Sequence, residues 1–186
     1  MTDGAGSVEP EVSAVTSVQD LDDSVVREVM ALVVDLVASG AALGWVDPPS
    51  TDEVRALLTG VAEDVEIGDA ALVLARIDGA VVGFGYWRRY QRPTHRLHAD
   101  LEKLAVRADQ HRRGLGRWLT TALIELARRE EIEQLTLDLR ADNTAAISLY
   151  GSLGFREYGR LPDFVAVGGK RYDRVLCVLD LRAQAL

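Results

Sequence analysis

Hydrophobic positions along the chain follow two different spacings, which predict its secondary structure. Between Ser17 and Gly40 apolar residues recur every three or four positions, the spacing of one face of an α-helix. Ser50 or Thr51 can cap a second helix that runs through VRALLTGV. The segment EVSAVTSV, ahead of both helices, is a weaker candidate for a first strand. The first third of the chain is therefore predicted to be mainly helical.

Strand-like segments dominate the middle of the chain. ALVLARI and AVVGFGYWRRY are joined by Asp78-Gly79, a strong signal for a two-residue hairpin turn. LHADLEKLAV follows as a third strand. Because side chains alternate along a strand, one face of this strand is predicted to carry His98, Asp100, Glu102, Leu104 and Val106.

Helices and strands alternate in the rest of the chain. LGRWLTTALIELARREE and NTAAISLYGSL have helical patterns and enclose the strand LTLDLR, and FREYGR and RVLCVLDL are the closing strands. LPDFVAVGGKRY, between these last two, is predicted to be a loop. This order of elements predicts an α/β (α+β) domain with mixed strand directions. Residues 1–10 are predicted to form a flexible tail and residues 11–186 a single domain.

Composition and charge narrow the class of protein. The 186 residues are 48% hydrophobic and 27% charged, which is typical of a soluble globular domain. The chain shows no secretory signal and no apolar run of membrane-spanning length, and it has a single cysteine, Cys177, so we expect a cytoplasmic protein that does not bind membranes. A net charge of −8 argues against nucleic-acid binding. The three histidines lack the spacing of metal ligands, so no metal is expected.

The stretch DQHRRGLGRWL places a glycine turn immediately before a helix. Glycines allow close backbone approach, and the free amides and dipole of a helix N-terminus favour an anion such as phosphate. A plain strand-to-helix turn with solvated arginines explains the same residues equally well. Two phosphate-binding motifs are excluded: Arg117-Trp118 replaces the Lys-Ser/Thr of a Walker loop, and Leu119 replaces the third glycine of a dinucleotide fingerprint.

Two segments of the chain together resemble the GNAT acetyltransferase superfamily. VRADQHRRGLGRWLTTALIELA is similar to the acyl-CoA-binding segment with the signature Q/R-x-x-G-x-G/A, although His111 stands at the Q/R position. DNTAAISLYGSLGF is similar to the downstream element N-x-x-A-x-x-x-Y-x-x-x-G-F. The resemblance extends from about Ala71 to Leu181. It implies a mixed, mostly antiparallel sheet of about six or seven strands, splayed at the acyl-CoA site and flanked by about four helices.

The resemblance also implies a co-substrate, acetyl-CoA, and the residues that hold it. Backbone amides of the glycine turn would cradle the pyrophosphate, and the end of the preceding strand would hydrogen-bond the pantetheine arm. Asn143 would contact that arm, but it is equally suited to capping a helix. The implied coenzyme-binding residues are Leu104, Ala105, Val106, His111, Arg112, Arg113, Gly114, Leu115, Gly116, Arg117, Asn143 and Tyr150.

Acetyl transfer to an amine requires a base for the ammonium proton and an acid for the departing thiolate. ADLEKLAV is similar to the motif A-E-V-x-K-L-x-V of acetyltransferases related to tabtoxin resistance, with Asp100 in place of the glutamate. Glu102 is the second candidate base. By resemblance Tyr150 lies near the coenzyme sulfur and is the candidate acid. Without the resemblance, the two acids can be solvated surface groups, and the tyrosine can be a packing residue.

These features predict an N-acetyltransferase that moves an acetyl group directly to a primary amine of a small molecule or peptide. A protein N-terminal or lysine acetyltransferase is the first alternative, and a non-catalytic acyl-CoA sensor is the second. Pairing of sheet edges into a homodimer is compatible with the sequence, but no residue requires it.

Overall fold

The computed structural model describes residues 10–182 and contains, within that range, seven strands and four α-helices. The strands are β1 (Glu11–Val15), β2 (Ala70–Ile77), β3 (Ala80–Arg89), β4 (His98–Val106), β5 (Gln134–Arg140), β6 (Arg156–Val167) and β7 (Lys170–Asp180). The helices are α1 (Asp23–Ala38), α2 (Thr51–Glu66), α3 (Leu115–Arg129) and α4 (Thr144–Ser152). The predicted tail, residues 1–10, lies outside the described residues except for Pro10.

The strands form one sheet in the order β1-β2-β3-β4-β5-β7-β6. Every neighbouring pair is antiparallel except β4 and β5, which are parallel. That parallel pairing spans only three residue pairs, His98–Asp100 with Gln134–Thr136. Both strands continue beyond it, so they diverge and leave a gap in the middle of the sheet. The mixed, mostly antiparallel and splayed sheet predicted from the sequence is confirmed.

Helices cover the two faces of the sheet and bury two hydrophobic cores. The buried stripe of α1 packs with α2 on one face, as the helical spacing predicts, through Val25, Val29, Leu32 and Leu36. On the other face α3 contributes Leu115, Leu119 and Leu123 to the second core. Because β2 and β3 lie between these layers, their side chains are mostly apolar on both faces.

Local signals in the sequence fix where several elements begin. Asp22 caps α1 by accepting hydrogen bonds from the first turn, and Ser50 caps α2 in a capping box with Glu53. The turn between β2 and β3 has positive φ at both Asp78 and Gly79 (51° and 79°), the geometry of a tight hairpin. The hairpin and the second helix cap that the sequence predicts are confirmed.

The predicted loop LPDFVAVGGKRY is instead the distal half of a long hairpin. Its residues extend β6 and β7, and the chain reverses at Gly168-Gly169, where both φ values are positive. β6 is an edge strand whose side chains are nearly all exposed, so it has none of the apolar alternation that marks a half-buried strand. The prediction of a loop was wrong for this reason.

A β-bulge in β4 overturns a second prediction. Tyr86 of β3 pairs with Lys103, and the following residue of β3 pairs with Leu101, which leaves Glu102 as an extra residue. Leu101 and Leu104 therefore pack into the same core although they are three positions apart. The residues predicted to share one face of the strand do not share it: His98, Asp100, Glu102, Leu104 and Val106.

An ion-pair network ties four segments of the fold together. Asp69, only 6% exposed, accepts two hydrogen bonds from the guanidinium of Arg96, one of them 2.7 Å long. Beside it, Arg89 donates to the carbonyls of Arg96, Gly68 and Glu130, the last at the C-terminal end of α3. The hydrogen bonds from Arg96 hold the pKa of Asp69 below its ordinary value. The network therefore joins β2, β3, the loop before β4, and α3.

Replacing the carboxylate should destabilise the fold in a pH-dependent way. We expect Asp69→Asn to lower the free energy of unfolding by about 2 kcal/mol at pH 7, because both arginines lose their anion. The pKa of Asp69 is depressed by folding, so its contribution is complete above the ordinary pKa of about 4 and is lost as the pH falls through the folded value. The gap between variant and wild type should therefore narrow in acid.

Urea denaturation of both proteins at neutral and acidic pH checks this prediction. Asp23→Asn is the matched control, because that side chain is 72% exposed in its pair with Arg55. An equal decrease in the free energy of unfolding in the two variants would contradict a special role for the Asp69 network.

Candidate active site

The gap between β4 and β5 opens into a cleft of about 910 Å³. The glycine turn and the start of α3 line one end, and the chain between α1 and α2 lines another part of the wall. Arg113 and Asp100 are the two predicted site residues that do not line the cleft. The predicted residues that do line it are Glu102, Leu104, Ala105, Val106, His111, Arg112, Gly114, Leu115, Gly116, Arg117, Asn143 and Tyr150.

Two glycines shape the turn at the start of α3 for different reasons. Gly114 is the N-cap and has a φ of 82°, a left-handed conformation that side chains rarely adopt. No heavy atom lies within 4 Å of the position a Cβ would occupy there, and no side chain caps the helix. A Cβ on Gly116, in contrast, would lie 3.1 Å from the Leu149 side chain of α4. The first glycine therefore keeps the helix amides open, and the second allows α3 and α4 to pack closely.

The charged side chains of the turn are mostly held by protein groups. The His111 Nε2 atom lies 2.8 Å from the carbonyl oxygen of Val106, which fastens the turn to the end of β4. Arg113 donates to the side chain of Gln110, and Arg117 donates to Ser152 of α4, both at 2.6 Å. The His111 side chain therefore positions the turn in this structure.

The two candidate bases stand in different surroundings. Glu102, the bulge residue, is exposed and lines the cleft. Asp100 accepts a hydrogen bond of 2.5 Å from the Thr136 hydroxyl and faces the Tyr90 hydroxyl at 3.5 Å. Burial raises the pKa of Asp100, and the charges of Asp138 and Glu102 add to that rise. Only Glu102 is therefore placed to meet a molecule in the cleft directly.

Asp138 is a cleft residue that the sequence analysis did not single out. It lies on β5, on the side of the gap opposite Glu102, and accepts a hydrogen bond of 2.5 Å from Arg174. Asp138 shares the polar positions of the alternating strand LTLDLR with Thr136 and Arg140, so no local signal marked it as a site residue. The cleft thus has a carboxylate on each of its two diverging strands.

Tyr150 and Asn143 come from the two ends of α4. Tyr150 is 8% exposed and packs edge-to-face on Phe155, with 5.4 Å between the ring centres. Burial raises the pKa of its hydroxyl well above the ordinary value, so the phenol keeps its proton at neutral pH. Asn143 caps α4 by accepting from the amide of Ala146, as one of its two predicted roles requires. Both residues line the cleft.

A segment that the sequence analysis left without a clear role forms part of the wall. We call residues 39–50, which join α1 to α2, the α1–α2 connection. Residues 39–43 of this connection line the cleft. Lys103, which follows the bulge residue on β4, reaches the connection by donating a 3.1 Å hydrogen bond to the carbonyl of Leu43. The aromatic residues Tyr86 and Trp87 of β3 do not line the cleft and are fully buried in the cores.

In residues 10–182 no three histidine, cysteine or acidic side chains cluster closely enough to hold a metal ion. Within that same range, no helix has the length and apolar character needed to cross a membrane.

A mixed sheet splayed between two parallel strands, with an open glycine turn at the gap, defines the acetyltransferase class of folds. The chain belongs to the acetyltransferase (GNAT) family, whose sequence profile matches residues 41–155. The resemblance found in the sequence is thereby confirmed.

Curated relatives of this chain include enzymes with different acceptors. It is 37% identical over 83 residues to the [ribosomal protein bS18]-alanine N-acetyltransferase of Escherichia coli K12, covering 45% of this chain and 56% of that protein. It is 32% identical over 118 residues to an L-methionine sulfoximine/L-methionine sulfone acetyltransferase of Pseudomonas aeruginosa, covering 61% of this chain and 66% of that protein. The chain thus spans about half the length of the first of these relatives.

Solved structures share the fold over nearly the whole chain. A ribosomal-protein-alanine N-acetyltransferase from Brucella melitensis superposes with a TM-score of 0.76 at 22% identity, covering 93% of this chain and 99% of that one. A phosphinothricin acetyltransferase from Sinorhizobium meliloti, solved in complex with acetyl-CoA, has a TM-score of 0.77 at 18% identity, with coverage of 92% and 88%. The identities are low, so these similarities establish the fold alone.

Proposed function

We propose that this protein is an N-acetyltransferase that transfers the acetyl group of acetyl-CoA directly to the primary amine of a peptide or small molecule. The observation that carries the proposal is the composition of one cleft. Open helix amides lie at one end of it, and a carboxylate and a buried tyrosine also line it. Family membership and the acetyl-CoA bound to a structural neighbour support the choice of co-substrate.

The start of α3 suits the pyrophosphate of coenzyme A. Its first amides have no side-chain cap, the helix dipole favours an anion there, and the space beside Gly114 is open. The side chains of Arg112 and Arg117 line the same part of the cleft and add positive charge. We infer that the phosphates lie on these amides and that Arg113, which donates to Gln110 outside the lining, contributes less than the sequence suggested.

The diverging edge of β4 suits the pantetheine arm and the thioester. β5 pairs with β4 only as far as Asp100, so the edge of Leu104, Ala105 and Val106 that faces the gap lacks a strand partner. We infer that these backbone groups bind the arm, and that an amide of this edge donates to the thioester oxygen as negative charge develops on it. Asn143 caps α4 through its side-chain oxygen, which leaves its amide nitrogen as a donor for the arm.

Glu102 is the better-placed base. Its carboxylate lies on the cleft wall, whereas Asp100 is hydrogen-bonded outside that lining. In the proposed reaction Glu102 removes a proton from the acceptor ammonium, directly or through a water molecule. The freed amine attacks the carbonyl carbon and forms the C–N bond, the attacking nitrogen loses its second proton to solvent, and the C–S bond breaks. The Tyr150 hydroxyl, which keeps its proton at neutral pH, hydrogen-bonds the departing thiolate and supplies its proton.

A peptide acceptor is favoured by the surface next to the cleft. Asp138 in the cleft wall holds Arg174 of β7, whose guanidinium lies 5.2 Å from the ring centre of Phe164 on β6. Phe164 is 57% exposed, so an aromatic surface continues outward from the wall. A chain of several residues can lie along it with its amino terminus in the cleft. The similarity to alanine N-acetyltransferases of ribosomal protein bS18 supports this choice.

A thiol-release assay with acetyl-CoA and a panel of acceptors tests the proposed function. The panel contains short peptides that begin with alanine, the same peptides with a blocked amino terminus, and small amines such as methionine sulfone. We expect saturable release with unblocked peptides. If only the small amines support thiol release, the acceptor is a small molecule and not a peptide. Binding of acetyl-CoA without release for any acceptor would favour the sensor alternative.

Gly114→Ala should weaken coenzyme binding. The positive φ makes an alanine at this position strained by about 1 kcal/mol, and relief of that strain moves the amides that we assign to the pyrophosphate. We expect at least about a tenfold rise in the Kd for coenzyme A by calorimetry. Gly79→Ala is the matched control, since it has a φ of 79° and equally open surroundings in the β2–β3 turn. Equal Kd values for the two variants would contradict the assignment.

Replacing each candidate base, Glu102 or Asp100, with its amide shows which of the two acts as the base. We expect Glu102→Gln to lower kcat by about 100-fold, as the loss of a general base does, and to leave the Kd for coenzyme A unchanged. Asp100→Asn should stay within about fivefold of wild type, because its carboxylate contacts Thr136 and Tyr90 and not the cleft. Thiol-release kinetics measure both effects, and the opposite order would assign the base to Asp100.

Tyr150→Phe should slow the reaction without loosening the coenzyme site. Removal of the hydroxyl is expected to lower kcat by about 100-fold while the ring still packs on Phe155. Tyr158→Phe, at an exposed tyrosine of β6, is the control and should keep wild-type kinetics. Unchanged kcat in Tyr150→Phe would mean that solvent supplies the proton to the thiolate.

A further inference from the structure

One wall of the cleft consists of chain that has little regular structure of its own. The α1–α2 connection contains no helix or strand, and both of its glycines, Gly40 and Gly44, have positive φ. Hydrogen bonds to the last turn of α1 fix its beginning, where the amides of Gly40 and Ala41 donate to carbonyls of that helix. The residues after Ala41 need another anchor to stay at the cleft.

Lys103 supplies contacts at that place. Its Nζ atom donates to the carbonyl of Leu43 and lies 4.4 Å from the centre of the Trp45 ring, a cation–π distance. The same Nζ atom lies 3.5 Å from the position that a Cβ on Gly44 would occupy. A single ammonium group therefore contacts Leu43 and Trp45 and lies beside the intervening Gly44. Burial lowers the pKa of Lys103, and the nearby Glu102 carboxylate opposes that shift.

The bulge in β4 places the lysine and the proposed base side by side. Without an extra residue, alternation along the strand would send Glu102 and Lys103 to opposite faces. With it, Lys103 pairs with Tyr86 and faces the α1–α2 connection. Burial raises the pKa of the Tyr86 hydroxyl, and the nearby Glu102 carboxylate adds to that rise. The bulge thus positions both the proposed base, Glu102, and the lysine that contacts the α1–α2 connection.

We propose that Lys103 is a positioning residue that clamps the α1–α2 connection against β4 and so shapes the acceptor side of the cleft. The clamp acts through the hydrogen bond to Leu43 and the contact with Trp45. The residues that it contacts, Leu43 and Trp45, are not among those that we assign to the coenzyme, so the clamp should affect acceptor binding and not coenzyme binding. This inference rests on the proposed function for its kinetic consequence, but the clamp itself is a property of the fold.

Steady-state kinetics of Lys103→Met test the inference against Lys170→Met. The chain has only two lysines, and Lys170 lies at the exposed turn of the β6–β7 hairpin. We expect the clamp variant to raise the acceptor KM by about tenfold, with the KM for acetyl-CoA and kcat within about twofold of wild type. Lys103→Arg keeps a cation for the ring and a donor for the carbonyl, so it should recover most of the lost affinity.

Hydrogen exchange provides a readout that does not depend on catalysis. Amides of residues 42–46 should exchange faster in Lys103→Met than in wild type, while those of α3 keep their protection. Unchanged exchange in that segment would overturn the clamp even in an active enzyme. If exchange rises but wild type acetylates no amine, the clamp stands and the proposed function fails. Equal increases in the KM for the acceptor and the KM for acetyl-CoA would also overturn the clamp, because they would indicate that the whole cleft had loosened.

Discussion

The early end of the pairing between β4 and β5 is the constraint on which the rest of the molecule depends. Three residue pairs hold two parallel strands together, and beyond them both strands continue without each other. Unpaired backbone edges inside a sheet are costly unless a partner satisfies them, and here they face an open cleft. The fold supports this opening from both sides, with α1 and α2 on one face and α3 on the other. A ligand with its own amides, such as the pantetheine arm, is the natural partner for such an edge.

The bulge at Glu102 gives this part of β4 an apolar side that packs into the core and a charged side that faces the cleft. It lets apolar residues on both flanks of the bulge pack into one core while two consecutive charged residues, Glu102 and Lys103, serve the other face. The glycine turn lies at the far end of the same strand and is fastened to it by His111. Anion binding, proton removal and the acceptor wall are therefore all positioned by one strand and its immediate continuation.

Much of this architecture could be predicted from the sequence because local signals and burial agree there. The helical stripe of α1, the cap at Ser50, the hairpin at Asp78-Gly79 and the glycine turn each have a pattern with a physical cause. The bulge had a signal that the strand prediction overlooked: HADLEKLAV alternates only as far as Glu102, where a second charged residue, Lys103, breaks the pattern. The long β6–β7 hairpin was missed because its edge strand buries little, and Asp138 entered the site only when β5 was placed across the gap.

Amide hydrogen exchange with and without acetyl-CoA tests the central claim most directly, namely that the gap between β4 and β5 is an acyl-CoA site. The account predicts protection on binding in two segments, residues 102–106 on the open edge of β4 and residues 112–117 at the start of α3. Other amides, including those of the β6–β7 hairpin, should change little. Saturating acetyl-CoA that protects neither segment, or protects a different surface, would contradict the account.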